Sequence, residues 1–246
     1  MPFDISPAKD EDFPELMRVL WVSFETPFNG FLRAVAPITD NDREGSLQRF
    51  TETMLEEAKA DPEIAWVKVV DPETGKIAGG AKWMLHRTDP FAKPPEKPFQ
   101  ATWFPPGPKR EFATQAVLGV LQPRAERARR PHVFLHIAFV TPEYRRRGVA
   151  KTFMEWGVGK ADELGVDSWV DSTAMGRGLY AQFGFVYVTE ENVVPKEPEG
   201  LSDADKVEWE EMRELVLPIH VAILWRPARR EYVEGIARLW ENQLGI

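Results

Sequence analysis

The sequence predicts one mixed α/β domain over residues 1–246, a central mixed sheet flanked by helices, and three observations predict it. VFLHIAFV (133–140) is a near-continuous apolar run of strand length, the pattern of a central strand covered on both faces. A helical periodicity and a second strand-like run, DSWVDST (167–173), follow it in the order of a parallel pair joined by a right-handed crossover. Upstream, IAWVKVVD (64–71) and KIAGGAKWMLHR (76–87) flank PETG, whose turn chemistry makes them an antiparallel hairpin. A hydrophobic content of 43% with nine tryptophans is enough to bury a core at this length.

The other elements follow in order. PFDISPA (2–8) reads as a short strand, and DEDFPELMRVLWVSFE as an amphipathic helix with Asp12 at its N-cap, Pro14 in its first turn and Phe13, Leu16, Leu20 and Phe24 on one face. SLQRFTETMLEEAKAD (46–61) repeats the helical pattern. Residues 88–131 form a proline-rich, aromatic insertion in which EFATQAVLGVLQPRAERARR predicts a helix broken near Pro123. After Gly148, the residues Ala150, Phe153, Met154, Gly157, Ala161 and Leu164 share a helical face that Gly165 ends. A short helix containing LYAQFG leads to a strand at FGFVYVTE. EENVVPKEPEGLSDADKVEWEEMRE reads as a solvated excursion, VLPIHVAILWRP (216–227) as the last strand and about 228–246 as a C-terminal helix.

Composition narrows the function. The formal net charge of -8 disfavours a polyanion such as nucleic acid as partner and suits an amine-bearing substrate. No segment approaches the roughly 20 apolar residues that cross a bilayer, and MPFDISPAKDEDFPEL has neither the basic lead nor the apolar run of a secretory signal. A cytoplasmic protein with no membrane partner is expected. The absence of cysteine excludes thiolate metal sites and a cysteine nucleophile. His132 and His136 have H-x-x-x-H spacing, but strand geometry, at about 3.3 Å per residue, sets them too far apart for one metal, so no metal is expected.

TPEYRRRGVAKTF (141–153) gathers Arg145, Arg146 and Arg147 at a helix start, where the positive end of the dipole disfavours them. An anion resolves the conflict, because a strand-to-helix loop offers unpaired N–H groups that bind phosphate; surface arginines paired with Glu143 are the alternative. GVAKT lacks the nucleoside-triphosphate P-loop pattern. GRGLYA (176–181) matches G-x-G-x-x-A, which leaves a nicotinamide-dependent oxidoreductase as a remote reading.

Arg145-x-x-Gly148-x-Ala150 after an apolar strand, then a helix, a strand and Leu179-Tyr180-x-x-x-Gly184-Phe185, resembles the acyl-CoA-binding core of the GNAT-type N-acetyltransferases. The resemblance is specific over about residues 131–190. TPEYRRRG, the Gly176-x-x-Leu179-Tyr180 spacing and LWRP are most similar to the fungal small-molecule branch. It implies the GNAT-like fold, with a sheet splayed at residues 139–141, and acetyl-CoA as co-substrate. The pyrophosphate would lie on the amides of Arg145, Arg146, Arg147, Gly148, Val149 and Ala150, and the pantetheine arm along Phe139 and Val140.

By the same resemblance Tyr180 is the general acid for the departing thiolate. Thr173 stands where many members carry an asparagine that contacts CoA. Amine acylation also needs a base, for which His136, within the strand, is the first candidate by its titration range; Asp171 is the competing base or orienting partner. Phe91, Phe99, Trp103 and Phe104 of the insertion are candidates to wall off a small-molecule pocket. The implied reaction is direct transfer from acetyl-CoA to the primary amine of a small molecule, by a monomer or homodimer. A protein or peptide amine acetyltransferase and a CoA-binding sensor without turnover are the alternatives.

Overall fold

The computed structural model describes residues 2–173 and 175–231. In chain order these form β1 (Asp4–Pro7), α1 (Phe13–Glu25), α2 (Phe31–Val35), α3 (Arg43–Ala60), β2 (Ile64–Val70), β3 (Ile77–His86), α4 (Pro108–Ala125) and β4 (His132–Val140). Then follow α5 (Val149–Leu164), β5 (Asp167–Ser172), α6 (Arg177–Gln182), β6 (Val186–Val193), α7 (Asp203–Val216) and β7 (Ile219–Arg226). One seven-stranded sheet has the order β1-β2-β3-β4-β5-β7-β6. All neighbours are antiparallel except β4 and β5, the parallel pair expected of a strand, a helix and a strand.

Side-chain alternation divides the core. Val133, Leu135, Val170 and Leu224 pack with Trp83, Phe153 and Met154 under α5 on one face. On the other face, Phe134, Trp169 and Trp225 pack with Phe112 of α4 and Trp209 of α7, while Phe139 joins Leu16, Leu20 and Trp21 of α1. Each buried aromatic or large aliphatic side chain contributes about 1.5–3 kcal/mol of transfer free energy. Fully buried Arg226 joins the layers. Its guanidinium donates to both carboxylate oxygens of Asp162 on α5 at 2.8 and 2.9 Å and to the carbonyl of Phe183, just after α6, at 3.0 Å.

Of four local expectations, two require correction. Asp12 does not cap α1; it is itself helical, and its carboxylate caps the preceding turn by accepting from the Lys9 N–H at 2.7 Å and also accepts from Lys68 on β2 at 2.5 Å. As expected, α4 stops near Pro123, ending two residues beyond it at Ala125. The charged stretch is not wholly solvated: Ser202 caps α7, which buries Trp209, Met212 and Val216. The predicted C-terminal helix at 228–246 falls almost entirely outside the described residues, which end in a short turn at Ala228–Arg230.

Where β4 lies against β3, Lys82 faces Ile137 and Trp83 faces Leu135, so His136 is an unpaired extra residue. Such a bulge bends its strand. Pairing of β4 with β5 runs only from His132–Asp167 to Leu135–Val170. The sheet therefore splays from His136 onward, earlier than the expected 139–141, because the bulge turns β4 away before its end.

Gly157 of α5 is where helix and sheet meet most closely, since a Cβ there would lie 2.1 Å from the ring of fully buried Trp83. Gly157→Ala is expected to lower the unfolding free energy in urea by about 1–3 kcal/mol, although alanine is the better helix former by about 1 kcal/mol.

Candidate active site

The splay leaves a gap between β4 and β5 with backbone groups on its β4 edge. Thr141 donates to the carbonyl of Ala78, which fixes the bonded alternation with β3. Phe139 is thereby turned toward Gly80, and Ala138 and Val140 toward the gap. Of the two residues expected along the pantetheine arm, only Val140 has its backbone there; Phe139 is buried beneath α1. Beyond Val140 the chain passes Tyr144 and enters α5. No backbone or side-chain acceptor takes the N–H groups of residues 146–151 among the described residues. Arg146 (φ 57°) and Gly148 (φ 98°) both have positive φ. At Gly148 glycine is needed for this conformation rather than for space, since a Cβ would meet nothing within 4 Å.

The three arginines divide their work. Arg145 donates to the carbonyls of Val140 (3.2 Å) and Ser23 (2.8 Å), tying the loop to β4 and α1. Arg147 lies over the ring of Tyr144 at 4.8 Å and near that of Phe3 at 5.8 Å. Tyr144 in turn donates to Asp71 at 2.8 Å. Arg145 and Arg147 thus hold the loop in shape, and Arg146 is exposed. The pairing with Glu143 considered as an alternative is absent among the described residues.

On the opposite face, the start of the gap adjoins a cavity of about 220 Å³ lined by Met84, His86, Pro90, Phe91, Leu121, Arg124, Phe134 and His136. Of the four insertion aromatics, Phe91 walls this cavity. Phe104 is in the core, and Trp103 donates to the carbonyl of Ala34 at 2.8 Å and contacts Phe99. Behind the cavity, Nε of Arg124 on α4 donates to Oδ2 of Asp171 on β5 at 3.0 Å. Burial raises the pKa of Asp171 although Arg124 opposes it.

The His136 side chain is exposed at the mouth of the cavity, with the packed body of the sheet and α4 behind it. Desolvation by the surrounding protein, then Lys82, Arg124 and His86, lowers its pKa. This direction favours the neutral imidazole at pH 7 and makes it a weaker base than its intrinsic range suggests. Arg124, Leu121 and Met84 belong to no motif. The available signal was the four-residue step Phe112, Ala116, Val120, Arg124, which ends an apolar helical stripe in a cation.

Tyr180, on α6 past the end of β5, is buried beside Phe185, with ring centroids 6.0 Å apart. Burial raises the pKa of its phenol, so it keeps its proton at neutral pH. Thr173 is exposed at the end of β5, and its carbonyl accepts from the Ser172 hydroxyl and the Gly176 N–H. GRGLYA opens a helix of only six residues, and the next strand, β6, lies antiparallel to β7 at the sheet edge. The parallel βαβ unit of a dinucleotide fold is not formed, which removes the oxidoreductase reading.

The Acetyltransferase (GNAT) family model matches residues 32–185. The chain belongs to that family. Among solved structures it is similar to a histone acetyltransferase HPA2 and related acetyltransferase from Corynebacterium glutamicum, with 20% identity, a TM-score of 0.55 and coverage of 93% of this chain and 97% of the other. An apo agmatine N-acetyltransferase variant aligns at 14% identity and a TM-score of 0.56, over 91% and 97% of the two chains. A GNAT-family acetyltransferase from Streptococcus pneumoniae aligns at 15% identity and 0.50, over 92% and 99%. A search of curated proteins gives no significant match. Membership makes the chain an acyltransferase of a family that uses acetyl-CoA, and the fold matches. No helix among the described residues is long and apolar enough to cross a membrane.

At the other end of β4, His132 is fully buried against His86, and Nδ1 donates to the Arg130 carbonyl at 2.8 Å. Burial lowers its pKa from 6.5 to about 4. A lowered value means that the folded state excludes the charged ring, so the stabilisation is present above pH 6.5 and is lost as pH falls through 4. His132→Phe is expected to remove on the order of 3 kcal/mol of the pH dependence of unfolding free energy in that window, measured by urea titration at stepped pH.

Proposed function

We propose that the chain transfers an acetyl group from acetyl-CoA to the primary amine of a small molecule within a ternary complex. The observation that carries this is the free amide row of residues 146–151 leading into α5, beside a gap that opens where β4 leaves β5. Six unpaired donors at a helix start suit a pyrophosphate, and Ala138 and Val140 suit the amides of a pantetheine arm, as an added strand suits a sheet edge. Acetyl-CoA supplies the activated acyl group. Arg145, Arg147 and Gly148 hold the amides in place, Val149 packs in the core beneath them, and Ala150 presents the next turn. Thr173 borders the opposite side of the gap.

Tyr180 gives its proton to the thiolate sulfur as the carbon–sulfur bond breaks. Asp171 takes the ammonium proton, which frees the nitrogen to bond to the acyl carbon; its raised pKa makes it the better base than His136. His136 remains as a neutral hydrogen-bonding group in the acceptor cavity. An open recess of about 220 Å³ walled by Phe91 and α4 has the size to hold the amine end of a small molecule. Kinship with the fungal small-molecule branch rests on TPEYRRRG, LWRP and the Gly176-to-Tyr180 spacing. A monomer or homodimer is compatible with this reading.

Isothermal titration with acetyl-CoA is expected to give saturable binding, and Gly148→Val, which forces a β-branched residue to positive φ, is expected to weaken it at least tenfold. In a thiol-release assay, Tyr180→Phe is expected to lower kcat by about 100-fold or more with little change in acetyl-CoA affinity. Absence of acetyl-CoA binding to the folded protein overturns the proposal.

A further inference from the structure

Acetyl transfer to an amine does not by itself call for a buried arginine with unused donors. Arg124 is such a residue. Its side chain is 5% exposed, with the guanidinium over the Phe134 ring at 3.5 Å and Phe91 at 5.6 Å. Only Nε is taken, by Asp171. Nη1 and Nη2 have no hydrogen-bond partner among the described residues, and Arg124 lines the cavity. Asp171, nine-tenths buried, is open in the complementary sense: Oδ1 is buried without a partner. It stands one residue past the last bonded pair of β4 and β5, across the gap from His136.

The pair therefore presents two unused cationic donors and one unused anionic acceptor, and leaving buried polar groups unsatisfied is unfavourable. The neighbouring polar groups already have partners: His86 of the lining meets Glu63 at 3.0 Å, and Lys82, two residues before Met84, pairs with Glu57 at 2.8 Å. A simple alkylamine would satisfy Asp171 and leave Arg124 open. A polyamine would set a second cation against Arg124. A ligand with an anion and an ammonium a few ångströms apart would satisfy both.

We propose that the acceptor is a zwitterionic α-amino acid with a compact apolar side chain. Its carboxylate sits on Nη1 and Nη2 of Arg124, its ammonium on Oδ1 of Asp171, and its side chain among Met84, Phe91 and Leu121. This rests on the acetyltransferase reading and names the substrate of that same site. The cavity is below the roughly 300–1,000 Å³ of pockets for drug-sized ligands, which suits a single amino acid. The step balances: one ammonium proton passes to Asp171, the nitrogen bonds to the acetyl carbon, the carbon–sulfur bond breaks as the sulfur takes a proton from Tyr180, and the second proton shed by the nitrogen returns to the Tyr180 phenolate. The product amide has lost the cation that Asp171 held, which favours its release.

The test compares three ligands of one carbon skeleton, L-leucine, isopentylamine (no carboxylate) and 4-methylpentanoate (no amine), with L-methionine and L-phenylalanine as further side chains. With acetyl-CoA present, kcat/KM for the best amino acid is expected to exceed that for isopentylamine at least tenfold. Arg124→Gln is expected to collapse that ratio toward one, and Arg124→Lys to restore part of it. Equal or better turnover of isopentylamine by the wild-type protein overturns the proposal without any variant. Titration of the ligands into the protein alone separates the two readings. If acetyl-CoA does not bind, the transferase reading fails, while amino-acid binding at least tenfold tighter than that of both deletion analogues still supports the subsite. Equal binding of the amine, or no binding of any amino acid, sinks the subsite.

Discussion

A central strand ordinarily has its backbone bonded on both sides, because each buried N–H or C=O left without a partner costs of order 1–3 kcal/mol. On its β5 side, β4 meets that requirement only as far as Leu135. The extra residue at His136 turns the strand, and everything functional in the molecule follows from the turn. It exposes the edge at Ala138 and Val140, separates Asp171 from the strand it would otherwise pair with, and makes room on the α4 side for a cavity. A regular β4 would bury the same groups in a continuous ladder and leave no space for a ligand.

Holding two strands apart at the centre of a sheet requires anchorage on either side of the opening. On one side Arg145 ties the end of β4 and the loop to α1, and Tyr144 joins Asp71. On the other, buried Asp167 accepts from Arg130 at 2.7 Å and from the Ala228 N–H at 2.9 Å, while Arg226 joins Asp162 and the carbonyl after α6. These charges are matched with nearly full hydrogen bonding, the condition under which buried ions are tolerated. The Arg124–Asp171 pair differs in being only half satisfied, and the proposed ligand site rests on that difference.

Much of this was legible in the sequence wherever the pattern was local. The apolar run of β4, the glycines that bound α5 and the PETG hairpin each carry their structure in a few consecutive residues. The loop that leads into α5 was legible by position, but the work of its arginines was not, since their partners Ser23, Tyr144 and Phe3 lie on elements that folding brings near. The bulge was invisible because register depends on two strands at once. α7 was hidden by its charge: with Trp209, Met212 and Val216 as its only buried residues, its apolar stripe is narrow. The histidine in β4 was identified as a residue of interest, but its basicity is set by desolvation, Lys82 and Arg124, none of which is encoded next to it.

The cavity draws its wall and its cation from residues 88–131, a segment that contributes no strand to the sheet. The parts facing the gap between β4 and β5 come instead from the sheet and its connections. The cavity is thus shared between this segment and the strands β3 and β4, which supply Met84, His86, Phe134 and His136. A lineage could exchange this segment, reshaping one wall of the cavity, while the hydrogen-bonded frame of the sheet and the α5 loop stays as it was.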